Sequence, residues 1–203
     1  DDGRFAAGRF EISEAAVVEE SAAMRRFVED TLRRKAKLLG PVKGLVSTLN
    51  DTTLFGFRYD PDLTRTAAET FATRSGNCLS IALMTASLAE ITANDAPDLL
   101  RVVGHVNLRV SERSSSRIRH WTTIDFLVPE NGAAYRVRPV DRSRVVALYF
   151  NNKAVDALVD GDHARAYWWV RASLRADPGS SVALNTLGVV WMRLGESVRA
   201  QAA

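Results

Sequence analysis

Apolar residues recur at helical spacing through the first quarter of the chain. From Ser13, a candidate cap, the positions Ala15, Val18, Ala22, Met24, Phe27, Val28, Leu32 and Leu38 alternate with charges, which predicts one or two amphipathic helices over 13–39. Gly40 and Pro41 interrupt that pattern, and Pro41 suits the first position of a further helix running to Leu49. Asn50 and Asp51 close it. Residues 55–61 are aromatic and irregular, and a short helix is expected over 66–72. Apolar residues at 79, 83, 84 and 88 then predict a helix from Cys78 to about Glu90.

Beyond a polar connection at 92–98 the period falls to two. Val102, Val106, Leu108 and Val110 alternate with His105, Asn107 and Arg109, and Trp121 opens a second alternating run to Val128. Two strands follow, joined through 111–120, with a third expected over 135–139 after the Asn131-Gly132 turn. A turn centred on Ser115 would oppose residues whose numbers sum to 230. That register sets His105 against Asp125 and Val106 against Ile124.

From residue 147 a spacing of 34 residues relates Ala154 to Gly188, Gly161 to Gly195 and Ala166 to Ala200, and Pro178 falls at the end of the first unit. This is the period of tetratricopeptide repeats, each a pair of helices. It predicts one pair over 147–180 and a second over 181–203. So few repeats need support, expected from docking on the preceding domain through Tyr149, Trp168, Trp169 and Trp191. The expected domains are therefore 1–146 and 147–203.

Composition adds limits. With 203 residues, 46% of them hydrophobic, the chain can bury a full core, and no apolar run approaches the length of a bilayer span. The first residues, Asp1-Asp2-Gly3, read as a processed or trimmed start, and a single cysteine is compatible with bacterial cytoplasm or periplasm. The net charge is +3, and nine arginines crowd 101–144 against Glu112, Asp125, Glu130 and Asp141. Without interleaved aromatics this reads as a solvated face, not a nucleic-acid site. No Cys/His cluster or glycine-rich phosphate loop is present, so neither a metal nor a nucleotide cofactor is expected.

The chemistry converges on Cys78, the sole cysteine. At a helix start its sulfur meets unpaired N–H groups and the positive end of the helix dipole, which favour thiolate. The competing reading is a small buried hydrophobe. With His105 on one strand and Asp125 on the next, the order is Cys, His, Asp: nucleophile, proton carrier and orienting acid. The Cys78 N–H is the natural oxyanion donor. His120, beside Arg117 and Arg119, is a rival base, read as solvated, and His163 is expected to be exposed in the helical tail.

The pieces Phe57-Arg58-Tyr59-Asp60, Ala68-Glu69-Thr70-Phe71, Arg74-Ser75-Gly76-Asn77-Cys78-Leu79-Ser80, Gly104-His105-Val106-Asn107-Leu108-Arg109-Val110 and Ile124-Asp125-Phe126 resemble those of bacterial transglutaminase-like proteins that carry tetratricopeptide repeats. The resemblance implies an α+β fold: a papain-like core, with N-terminal helices packed on a small antiparallel sheet, followed by an all-α repeat tail. It implies a Cys78, His105 and Asp125 triad acting on an amide or peptide bond through a thioester. The expected partners are a peptide or protein substrate and a protein bound at the tail. The stretch between cysteine helix and histidine strand is shorter than the family's, which implies an open cleft or residues missing from it. The alternative is a non-enzymatic interaction module on the same fold.

Overall fold

Every residue from Leu79 to Ala89 is buried, so the helix that starts at Cys78 is enclosed on all sides rather than amphipathic. The computed structural model describes residues 2–8, 10–93, 98–102, 105–113, 119–124 and 138–203. They divide into two compact units, 15–140 and 1–14 with 141–203, a division that takes the first residues out of the expected cysteine domain.

In the larger unit α1 (Glu14–Val18) and α2 (Ala22–Phe27) are separate, the second capped by Ser21, whose Oγ accepts from the Met24 N–H at 3.2 Å. A π-helical turn, Val28–Leu32, leads into α3 (Arg33–Leu39). The periodicity of 13–39 is thus split at Ser21, where side-chain capping competes with helix continuation. Gly40, at φ 87°, makes the turn that no other residue takes without strain, and Pro41 starts α4 (Pro41–Asn50). α5 (Ala67–Thr73) and α6 (Cys78–Ala93) complete the helices of this unit.

Its strands are β1 (Arg58–Tyr59), β2 (Ser75–Gly76), β3 (Asp98–Val102), β4 (His105–Arg113), β5 (Arg119–Ile124) and β6 (Arg138–Val140). β1 and β2 form a two-stranded parallel pair, and the others are hydrogen-bonded in the order β5-β4-β3-β6. The expected single strand through Val102 and Val110 is two strands, β3 and β4, joined antiparallel from Asp98↔Arg109 to Val102↔His105.

The α+β papain-like core expected from the sequence is corrected: the chain is mostly helical. Helices supply most of the described core, with Met24, Val28, Leu32, Val42, Leu45 and Phe71 buried around Leu79, Leu83, Met84 and Leu88 of α6. Burying each large apolar side chain contributes about 1.5–3 kcal/mol, and α6 supplies Leu79, Ile81, Leu83, Met84 and Leu88. Alternation in 102–128 marks strands but does not say which layer forms the core.

The second unit contains α7 (Arg142–Val159), α8 (His163–Ala176), α9 (Ser181–Arg193) and α10 (Ser197–Ala202). Gly161 and Gly195, at φ 77° and 76°, turn the chain after α7 and after α9. Asp141, Asp162 and Ser180 cap the first three of these helices through their side chains. The residues Asp2–Gly8 form a 3-10 helix on this unit. Of the aromatics expected to dock a tail, Trp168 and Trp191 pack around Phe5, and Trp169 contacts Phe10. His163 opens α8 half-buried, not exposed.

Candidate active site

The start of α6 is fixed by a short chain of local constraints. α5 begins with a reciprocal cap: the Glu69 N–H donates to Thr66 Oγ1 at 3.2 Å and the Thr66 N–H donates to Glu69 Oε2 at 2.9 Å. It ends at Arg74, the one described non-glycine residue with positive φ, 53°. That left-handed residue turns the chain into β2.

The Arg74 guanidinium lies 3.8 Å from the Phe55 ring centroid, 4.1 Å from Phe71 and 5.5 Å from Phe27. The three rings stand 5.4–5.6 Å from one another, closing a cage around the cation. Burial lowers the Arg74 pKa from its ordinary value, and Nη1 is buried with no hydrogen-bond partner among the described residues, so ring faces replace water on that side.

β2 then aligns in parallel with β1, Arg58 against Ser75 and Tyr59 against Gly76. Backbone bonds from Arg58 N to Arg74 O, 2.9 Å, and Asp60 N to Gly76 O, 3.0 Å, hold the pair. The Asp60 carboxylate accepts from Arg65 at 3.2 Å and from the Ser75 hydroxyl at 3.4 Å. The Arg65 hydrogen bond leads the causes that keep Asp60 below the ordinary aspartate range.

Asn77 is the cap. Its Oδ1 accepts from the Ser80 N–H at 3.0 Å and from the Ser80 hydroxyl at 2.9 Å, while its Nδ2 donates to Thr64 Oγ1 at 2.9 Å. Its carbonyl accepts from the Ile81 N–H at 3.0 Å. Cys78 follows as the first residue of α6, with its free thiol half-buried. Tyr59 belongs to the same surface: burial raises its phenol pKa first, and the Cys78 charge raises it further.

His105 is the first residue of β4, its backbone opposite Val102, and α6 packs on β4. Asp125 lies outside the described residues. The register expected for the hairpin is corrected. Leu108, not Val106, faces Ile124, and Arg113 faces Arg119, so partners sum to 232 and the centre falls at Ser116. The direct opposition of His105 and Asp125 drawn from a centre at Ser115 is not the register adopted over 108–124. The run Ser114-Ser115-Ser116 contains no residue that demands a particular turn, so nothing in the sequence pins the register there. His120 stands in β5 opposite Glu112.

The sequence reading missed Tyr59 and the capping roles of Asn77, Thr64 and Ser80. Asn77 followed by Ser80 is a legible cap pattern; Tyr59 arrives through the β1–β2 pairing, which two-residue strands do not announce, and Thr64 through its hydrogen bond with Asn77. Among the described residues no group of three or more His, Cys, Asp or Glu is placed to hold a metal ion, and no helix is long and apolar enough to cross a membrane. Compared with known protein families, with curated proteins and with solved structures, the chain matches none.

Proposed function

We propose that the chain is a transglutaminase-like cysteine hydrolase or acyltransferase that acts on an amide or peptide bond through Cys78. The observation that carries the reading is a half-buried free thiol on the first residue of a rigid buried helix, with the preceding residue locked as its cap. Asn77 takes the Ser80 and Ile81 N–H groups, and the proposed oxyanion donor is the Cys78 N–H, on the same residue as the thiol.

Chain connectivity supports His105 as the base. Only 94–97 separate α6 from β3, β3 and β4 are antiparallel, and α6 packs on β4. If β3 returns along α6, the end of the hairpin that carries Val102 and His105 comes back toward Cys78. Ile124, the partner of Leu108, packs on the cluster formed by Val42 and by Ala86, midway along α6. From there Cys78 lies about 12 Å along the helix and His105 about 10 Å along the strand, well-matched lengths.

In the proposed reaction the Cys78 thiolate attacks the carbonyl carbon. His105 passes a proton to the departing amine as the C–N bond breaks, and the resulting thioester is cleaved by water or by a second amine. Asp125 orients the imidazole. The test is iodoacetamide labelling of Cys78 near neutral pH, with turnover of fluorogenic peptide amides. The reading expects labelling faster than a model thiol, slowed by His105→Ala, and turnover abolished by Cys78→Ala. Labelling at the model rate and indifferent to His105→Ala would overturn it.

A further inference from the structure

The smaller unit holds a seat for a short peptide, occupied by the chain's own residues 2–5. Phe5 is the anchor: it is 6% exposed, stacks on Tyr167 with ring centroids 4.1 Å apart, and packs at 5.7 Å against Trp191. The Trp168 indole Nε1 donates to the Phe5 carbonyl at 2.9 Å, a contact that grips the backbone whatever its sequence. Asp2 is the second anchor. Its carboxylate accepts from the Tyr167 hydroxyl at 2.6 Å and pairs with Arg171 at 3.3 Å. Between them Arg4 pairs with Glu196.

The seat draws on α8, on α9 and on Glu196 just before α10, so it spans two successive helix hairpins. Its contents are those of a bound peptide: one aromatic side chain in a pocket, one backbone carbonyl on an indole, and charged groups at the rim. The segment itself is a 3-10 helix of seven residues, followed by residues 10–13 without regular structure. Such a helix has little stability of its own, so its place depends on these contacts.

We infer that this seat is a recognition site for a partner peptide, which the segment fills in cis and which a competing peptide enters in trans. The partner carries a carboxylate three residues before a phenylalanine and a basic residue immediately before it. Arg171 and Tyr167 select the carboxylate, Glu196 the basic residue, and the Tyr167–Trp191 pocket the ring. The tethered segment acts as a competitor at high effective concentration, so occupancy from outside requires a tighter ligand or a loosened latch.

The test uses the full chain and a fluorescein-labelled octapeptide, Asp-Asp-Gly-Arg-Phe-Ala-Ala-Gly, followed by anisotropy. The chain with Phe5→Ala is expected to bind the peptide at least tenfold more tightly than the unsubstituted chain, and a peptide with alanine in place of its phenylalanine should bind neither. A second chain carrying Asp2→Ala and Arg4→Ala, which leaves Phe5 in place, is expected to fall between the two. If Phe5→Ala keeps its thermal transition yet binds no better than the unsubstituted chain, the segment is a fixed brace and the inference fails. If Phe5→Ala does not fold, the Asp2→Ala/Arg4→Ala chain decides in the same way. An unsubstituted chain of twice the expected mass that ignores added peptide would assign the seat to a second copy, which also overturns it.

Discussion

The Oδ1 of Asn77 receives two hydrogen bonds from Ser80, one from its backbone N–H at 3.0 Å and one from its hydroxyl at 2.9 Å. The residue next to the candidate nucleophile is therefore the one that starts its helix. Asn77→Ala removes both acceptor contacts and the donor to Thr64, all in buried surroundings. The expected cost is about 1–3 kcal/mol, combining a lost cap with buried groups left short of partners. Urea unfolding measures it. The same variant should label faster at Cys78 with a neutral thiol reagent as the first turn frays. Asn77→Asp, which keeps the acceptor, should recover most of the cap but not the Thr64 contact.

Gly76 presses on the same turn. A Cβ added there would stand 2.7 Å from the Ser80 Cβ and 3.3 Å from its Oγ, so Ser80 must move and the cap with it. Gly76→Ala is expected to cost about 1–3 kcal/mol by overpacking. Gly161→Ala meets nothing within 4 Å and is opposed only by its positive φ of 77°, so its cost should be about 1 kcal/mol. Equal midpoint shifts in the two variants would show that the contact at Gly76 is not what constrains it.

These constraints mark how far the sequence was readable. Gly40-Pro41 and the start of α6 are written in residues whose backbone preferences are strong, and the glycines 34 apart mark the turns after α7 and α9. β3 is not separable from the following strand in the sequence because Asp98-Leu99-Leu100-Arg101-Val102 does not alternate strictly. Ser80, Thr85 and Ser87 give α6 the look of a polar face, yet all three are buried and Ser80 and Ser87 bond locally. Phe5 carries no local signal at all: its partners lie about 160 residues away, at Tyr167 and Trp168. Cys78 was legible as a candidate; Tyr59 beside it depends on a pairing only the fold supplies.

Arg74 joins two opposing effects, a left-handed backbone at φ 53° and a guanidinium held among three phenylalanine rings. Arg74→Lys retains the charge but not the planar stacking, and is expected to destabilise by about 1–2 kcal/mol. Arg74→Gly relieves backbone strain of about 1–2 kcal/mol and empties the cage. If the cage outweighs the strain, Arg74→Gly is no more stable than the unsubstituted chain in thermal melts. A gain in stability would show that the backbone strain dominates.

The Asp2–Tyr167 hydrogen bond makes the seat of residues 2–5 sensitive at both ends of the pH scale. The bond from Tyr167 is the leading cause that lowers Asp2 below its ordinary 3.8, with Arg171 adding to it against a desolvation penalty. Tyr167 is raised from 10.0 to about 12, first by burial and then by Asp2. A depressed carboxylate contributes stability that is present above 3.8 and lost as pH falls through its lowered value. A raised phenol contributes stability present below 10.0 and lost as pH rises to about 12. The emission of Trp168 and Trp191, which line the seat, should therefore stay level between these limits and change outside them. The Arg4–Glu196 pair adds a further carboxylate lowered by its arginine. Tyr167→Phe is the deciding variant. It removes the alkaline change at this site and releases Asp2, so the acid change should move up toward 3.8. An acid limb that does not move would mean that Tyr167 is not what holds Asp2.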